Sequence, residues 1–173
     1  MSRYFPLFIS LEGKRITVVG AGTVAARRIR TLLAFEPELV VIAPEAAEEV
    51  QALADEGTIC WEKREFAPGQ IEGSLFVLEA ADKSEVNLAV WEECRRLGIP
   101  VNRADDHESC DFYFPGIALA GELTAGVTAG GSDHRLAKEA AGELRKALTC
   151  LQERKEEEKR QRSYGNEYQT EKA

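Results

Sequence analysis

Two stretches of this chain combine residue types and spacings that could do chemistry. The first is Gly20-Ala21-Gly22-Thr23-Val24-Ala25, a G-x-G-x-x-A run placed directly after Ile16-Thr17-Val18-Val19 and directly before a helical pattern. In such a turn Gly20 permits a tight bend and Gly22 lets the backbone approach a pyrophosphate. Ala25 is small enough for the helix to lie close on the sheet. The unpaired N–H groups at the helix start, and its positive dipole end, then face two phosphates. A strand-to-helix turn with no ligand is the bland alternative. The second stretch is Asn102-Arg103-Ala104-Asp105-Asp106-His107. A carboxylate among carboxylates can have a raised pKa, which suits a proton acceptor. Composition alone also reads this stretch as a solvated loop. His107, Cys110 and Asp111 nearby match no familiar metal-ligand spacing, so no metal site is expected.

Further positions gain meaning from the turn. A dinucleotide fold places a carboxylate about 20 residues past the fingerprint to hold the ribose hydroxyls, and counting from Ala25 reaches Glu45, just after Pro44. Glu45 is read either as that ribose ligand, favouring NAD over NADP, or as a helix-end charge. Ala80-Ala81-Asp82 closes another apolar run, where small residues allow a base or nicotinamide to come near. Asp82 itself reads better as the N-cap of the helix that follows. Arg27, Arg28 and Arg30 are expected in solvent; Arg103, Arg135 and Lys138 could meet anionic groups of a substrate.

These residues need a frame, and the pattern supplies one. Leu39–Ala43 is a continuous apolar run, as in a strand buried on both faces of a parallel sheet. A helix over 45–56 ends at Gly57. Thr58–Lys63 and Leu75–Ala80 read as strands, Ser84–Leu97 as a helix closed by Gly98, and Ile99–Asn102 as a short strand. This alternation predicts an open, doubly wound sheet. Phe112–Leu119 and Leu123–Thr128 read as a hairpin. After a break at Gly130-Gly131-Ser132-Asp133, Leu136, Ala140, Leu144, Ala147, Leu148 and Leu151 recur at helical spacing. From Gln152 almost nothing is apolar; Glu153–Arg162 is a mixed charge run, expected as a solvated helix extension that frays into a disordered tail. The divisions expected are thus 1–110, 111–151 and 152–173.

Composition narrows the classes. A hydrophobic content of 44% supports a real core in 173 residues. The formal charge of −8 argues against nucleic acid or an anionic membrane as the main partner. No apolar run approaches a membrane span, and the scattered Cys60, Cys94, Cys110 and Cys150 form no C-x-x-C pair, so a cytoplasmic protein with reduced thiols is expected.

Taken together, the segments resemble one family, the precorrin-2 dehydrogenase and sirohydrochlorin ferrochelatase group of sirohaem synthesis. The resemblance rests on Tyr4-Phe5-Pro6-Leu7-Phe8, Leu11-Glu12-Gly13-Lys14, Val18–Ala25 with Arg27, Val41–Glu45, Ala80-Ala81-Asp82 and Val86-Asn87. It continues through Asn102-x-x-Asp105, Phe112-x-x-Pro115, Thr128–Gly131 and Leu136-Ala137-Lys138, in family order as far as about Leu151. It implies a Rossmann-type, mostly parallel sheet with an appended hairpin for dimerisation and a C-terminal helix. It also implies that NAD takes a hydride from precorrin-2, an anionic tetrapyrrole, giving sirohydrochlorin, with Fe²⁺ insertion in some members. Asp105 is the implied catalytic carboxylate. Thr23, Val24, Pro44 and Glu45 are the implied cofactor contacts, alongside the rest of the fingerprint, Ala80, Ala81, Asp82 and Asn102; a homodimer is implied as well. Where the family has Ser-Pro before its long helix, this chain has Asp133-His134, and Ala129 stands in a hydroxyl position. Family members commonly continue into a further helical domain where this sequence has a charged run, and a partner chain is expected to complete the site. A sensor that binds NAD(H) or a tetrapyrrole without turnover is the alternative reading.

Overall fold

The structure is a computed structural model that describes residues 4–130 and 133–170, with side chains of the last helix described as far as 161. The chain forms two compact units, Leu7–Tyr113 and a second made of Met1–Pro6 with Phe114–Ala173.

The first unit is built on a five-stranded sheet in which every pairing is parallel. Its elements run β1 (Arg15–Val19), α1 (Thr23–Leu33), β2 (Glu38–Ile42), α2 (Glu48–Asp55), β3 (Cys60–Glu62), β4 (Phe76–Glu79), α3 (Ser84–Leu97) and β5 (Val101–Arg103). The strand order is β3-β2-β1-β4-β5, so the chain winds outward from β1 in one direction and then in the other. This is the Rossmann-type doubly wound frame, and its reversal lies between β1 and β4. The inner strands are mainly apolar because helices cover both faces: Ile16, Val18, Val41, Val77 and Leu78 are completely buried. Two polar residues are buried among them, Thr17, whose hydroxyl pairs with Ser74 Oγ at 2.7 Å, and Glu79 at the end of β4. Ile29 from α1, Val50 from α2 and Val90 from α3 close the core. Two helix C-terminal ends fall where the sequence puts them: Gly98 takes the left-handed conformation that terminates α3, and Gly57 does the same after α2, whereas α2 begins at Glu48 rather than at the expected 45.

The boundary of this unit lies three residues beyond the expected 110. Phe112 packs on Phe76 with ring centroids 5.0 Å apart, Asp111 Oδ2 accepts from Val101 N at 3.0 Å, and the Tyr113 hydroxyl donates to His107 O. These contacts hold 111–113 to the sheet.

The second unit pairs β6 (Gly116–Ala120) and β7 (Leu123–Val127) as an antiparallel hairpin turning at Gly121, with α4 (His134–Thr170) beside it. Gly131 and Ser132 of the expected break lie outside the described residues. Asp133 caps α4 through Oδ1, which accepts from Leu136 N at 2.8 Å. The contact face of α4 departs from the leucine stripe. Gly116 approaches Ala137 and Ala141 so closely that a Cβ there would meet Ala137 O at 2.9 Å, whereas Leu136 and Leu144 are exposed. Small residues let helix and hairpin backbone meet, and Leu136 and Leu144 are left facing outward. The helix extends through the charged run as expected and continues to Thr170, beyond Arg162 where fraying was expected. Lys155–Glu158, Arg160–Glu156 and Gln161–Glu157 pairs line its exposed face, one turn apart.

Among the described residues no helix is long and apolar enough to cross a membrane. Two stability predictions follow from the backbone. Gly20 has φ +102°, and a Cβ there would sit 2.3 Å from Ala80 O, so Gly20→Ala should lower the unfolding free energy by about 3 kcal/mol. Asp133→Ala should cost about 1 kcal/mol through the lost cap. Denaturant midpoints check both, and an unchanged midpoint for Gly20→Ala contradicts the close approach.

Candidate active site

At the carboxyl edge of the sheet, β1 leads into the glycine turn with backbone bonds on both sides. Gly20 N donates to Ile42 O at 2.9 Å and Ala80 N donates to Val19 O at 2.8 Å. The two glycines differ in what they do. Gly20 is forced by the Ala80 backbone against it, while a Cβ on Gly22 would meet nothing within 4 Å. Gly22 is the N-cap of α1 and brings no side chain to it; the first bond is Ala26 N to Gly22 O at 2.9 Å. The N–H groups of Thr23, Val24 and Ala25 precede that bond. Ala21 and Ala25 are buried, Thr23 and Val24 exposed. An uncapped helix start with room over Gly22 fits a diphosphate.

The segment after β2 is tied onto this turn by Ala47 N donating to Ala21 O at 2.9 Å, which leaves Pro44 and Glu45 exposed beside it. The capping alternative for Glu45 falls: α2 begins at Glu48 with Ala47 as its N-cap, and the acids of its first turn are Glu48 and Glu49. The N-cap reading of Asp82 is corrected as well. Lys83 holds that position and makes no side-chain cap bond, and Asp82 is exposed in the bend between β4 and α3. Ala80 and Ala81 line the same edge, half-buried.

Asp105 belongs to this edge through a continuous set of contacts. Buried Asn87 on α3 gives its amide to Ala81 O at 3.1 Å and to Asp105 Oδ2 at 3.0 Å. Arg103 clasps the same carboxylate, Nε to Oδ1 and Nη2 to Oδ2, both at 3.1 Å. The guanidinium also reaches Glu79 Oε2 at 3.2 Å and Asp106 Oδ2 at 3.3 Å. Arg103 is therefore engaged by carboxylates of its own chain rather than offered to a substrate.

The protonation states differ from the sequence expectation. Partial burial pushes the Asp105 carboxyl up, but hydrogen bonds from Asn87 and Arg103 outweigh it and hold Asp105 below the usual carboxylate range. The carboxyl that rises is Glu79, whose side chain is wholly inaccessible: burial, then the charge of Asp105, brings it to about 7 against the pull of Arg103. Two neighbouring carboxyls have had their affinities for a proton driven apart, with the raised one in the strand and the lowered one in the loop.

Several assignments change accordingly. The stretch after β5 is an ordered loop. Asp106 accepts from Glu108 N, Ser109 N and Ser109 Oγ, and the Cys110 thiol accepts from Arg103 N at 3.1 Å. Asn102 is buried and gives its amide to Phe112 O at 2.8 Å and to Cys110 Sγ, so its side chain holds the loop. Arg28 leaves the solvent-facing set: its guanidinium is largely buried, burial lowers its pKa, and Nη1 donates to Glu79 O at 3.4 Å. Glu79 and Asn87 were not picked out as site residues. The readable signal was a glutamate closing an otherwise apolar strand. Among the described residues no cluster of histidine, cysteine and carboxylate side chains could hold a metal ion.

The family model described as "Putative NAD(P)-binding" matches residues 7–116. A "Probable multifunctional siroheme biosynthesis protein HemA" of Ruminiclostridium josui is 35% identical over 82% of this chain and 28% of its own length. A "Siroheme synthase" of Chromobacterium violaceum is 38% identical over 78% of this chain and 29% of its own. The chain thus spans less than a third of the length of these curated relatives. A solved structure titled "SirC, precorrin-2 dehydrogenase" shares the fold with a TM-score of 0.70 at 21% identity, over 86% of this chain and 76% of that one. The stretch matched by the family model holds the glycine turn, all five parallel strands and Asp105 alike, and the chain belongs to that NAD(P)-binding family.

Proposed function

We propose that this chain is a dehydrogenase module of sirohaem formation, removing two hydrogens from precorrin-2 to give sirohydrochlorin with NAD as the acceptor. One observation carries the reading: the line of contacts from the Gly20 turn, against Ala80, through Ala81 O and Asn87, to Asp105. It sets a carboxylate that is ionised at neutral pH on the edge where the open helix start of α1 would hold a diphosphate.

Bound NAD would supply the acceptor for a hydride, that is, one hydrogen with both bonding electrons. The chain supplies the rest. The second hydrogen leaves as a proton, and Asp105, partly exposed and anionic, is the group placed to take it and return it to water. Asn87 and Arg103 fix the direction of its oxygens, so the proximity gain is preserved without loop rearrangement. Glu45, exposed beside the turn, would bind ribose hydroxyls and repel the extra phosphate of NADP. The relatives named for sirohaem synthesis favour precorrin-2 over other hydride donors. Fe²⁺ would be a second substrate, with Asp105 taking protons from ring nitrogens. A second copy of the chain would cover the apolar surface left by exposed Leu136 and Leu144. The unpaired cysteines suit a reducing, cytoplasmic setting.

Two variants test the reading. Because the space over Gly22 is open, Gly22→Val should fold normally yet lose NAD binding in calorimetry; retained binding contradicts the placement of the diphosphate. Asp105→Ala should keep NAD affinity within about two-fold while turnover falls roughly a hundred-fold. Unaltered turnover removes Asp105 from the chemistry.

A further inference from the structure

Glu79 occupies the last position of β4, in register with Val19 on β1 and Arg103 on β5. Its Oε2 accepts from Arg103, while Oε1 is buried and receives no donor. Asp105 lies against it and is held by the same guanidinium. One cation therefore serves two neighbouring carboxyl groups, and a proton on Glu79 lets the pair share a hydrogen bond. The other charged or titratable groups around Glu79 are Asp106 and Cys110 in the loop after β5, Arg28 on α1, which grips the Glu79 carbonyl, and Cys94 on α3. The neighbour on β1, Val19, carries no charge, and Asn87 on α3 is neutral.

We propose that Glu79 is a positioning residue for Asp105: a buried carboxyl whose own proton sets how strongly Asp105 draws a proton from the substrate. This rests on the reading of Asp105 as proton acceptor. With Glu79 protonated, its hydrogen bond stabilises the Asp105 anion and weakens it as a base. With Glu79 ionised, two anions share Arg103, their repulsion raises the proton affinity of Asp105, and turnover increases. Burial and Asp105 place this change near 7. No further reactant is needed, because Asp105 returns its proton to solvent.

The test is the pH profile of kcat for NADH formation from about pH 5 to about pH 9, in wild type and Glu79→Gln, whose amide keeps the shape and always donates. Wild type should show a rise through neutrality. The variant should lack that rise, run roughly ten-fold slower at the alkaline end and bind NAD equally well. Infrared difference spectra add a readout that needs no turnover: a protonated-carboxyl stretch in wild type that vanishes through neutrality, is missing in Glu79→Gln and titrates at lower pH in Asp105→Asn. Linkage gives the same sign in unfolding. The folded chain binds the Glu79 proton up to about 7 and the unfolded chain only to about 4.5, so the wild-type urea midpoint should fall across that window and stay flatter in Glu79→Gln. Identical pH profiles in active proteins overturn the proposal alone, as does a wild type with no carboxyl titrating near neutrality. A wild type that forms no NADH at any pH defeats the function proposed for Asp105 and this inference together.

Discussion

The backbone of β1 meets the backbone of β4 at Gly20 more closely than any side chain allows, and the site is arranged around that meeting. A Cβ at this point would lie inside Ala80 O, so the chain has glycine there with a positive φ, and the ends of two parallel strands close onto one edge. The Gly22 cap of α1 is carried out from this edge on one side. On the other, Ala81 presents the carbonyl that fixes Asn87 and, through it, Asp105. The helix start that would take phosphate and the carboxylate that would take a proton share one rigid origin, with a reversal of strand order between them.

Electrostatics then distinguishes groups that composition makes equivalent. Asp105, Asp106 and Glu79 are all carboxylates within reach of Arg103, yet they meet different surroundings. Asp106 is held down by Ser109 and the loop N–H groups, and Asp105 by Asn87 and Arg103, while Glu79 is enclosed in the sheet and pushed up. Desolvation decides the case of Glu79, because Arg103 divides its attraction among three anions. An edge with both an ionised carboxylate and a carboxyl near neutrality is suited to moving protons at physiological pH.

Much of this frame was legible from residues alone. The central parallel strands carry apolar runs, α3 runs from Ser84 to the glycine after Leu97, and the Gly20–Ala25 turn sits between strand and helix, so local pattern and tertiary role coincide. Where they part, the reading changes. Asp82 sits one residue outside the cap of α3, and Leu136 and Leu144 of α4 are exposed while Gly116 packs against Ala137 and Ala141. The loop after β5 looks solvated by composition, but its order comes from pairings across the sequence: Asn87 with Asp105, and Glu79 with Arg103. Strand register sets Glu79 beside Arg103, and the packing of α3 on the sheet sets Asn87 beside Asp105; no spacing along the chain encodes either. Asn87 formed part of the family resemblance, yet its contact with Asp105 needed the fold.

The central claim is that one sheet edge aligns a nicotinamide acceptor with the proton acceptor Asp105 for removal of two hydrogens from a tetrapyrrole. Anaerobic single-turnover mixing of the chain with NAD and precorrin-2, followed across the visible spectrum, tests it directly. Sirohydrochlorin and NADH should appear in equal amounts with one shared rate constant. Binding of both ligands with neither product formed would contradict it.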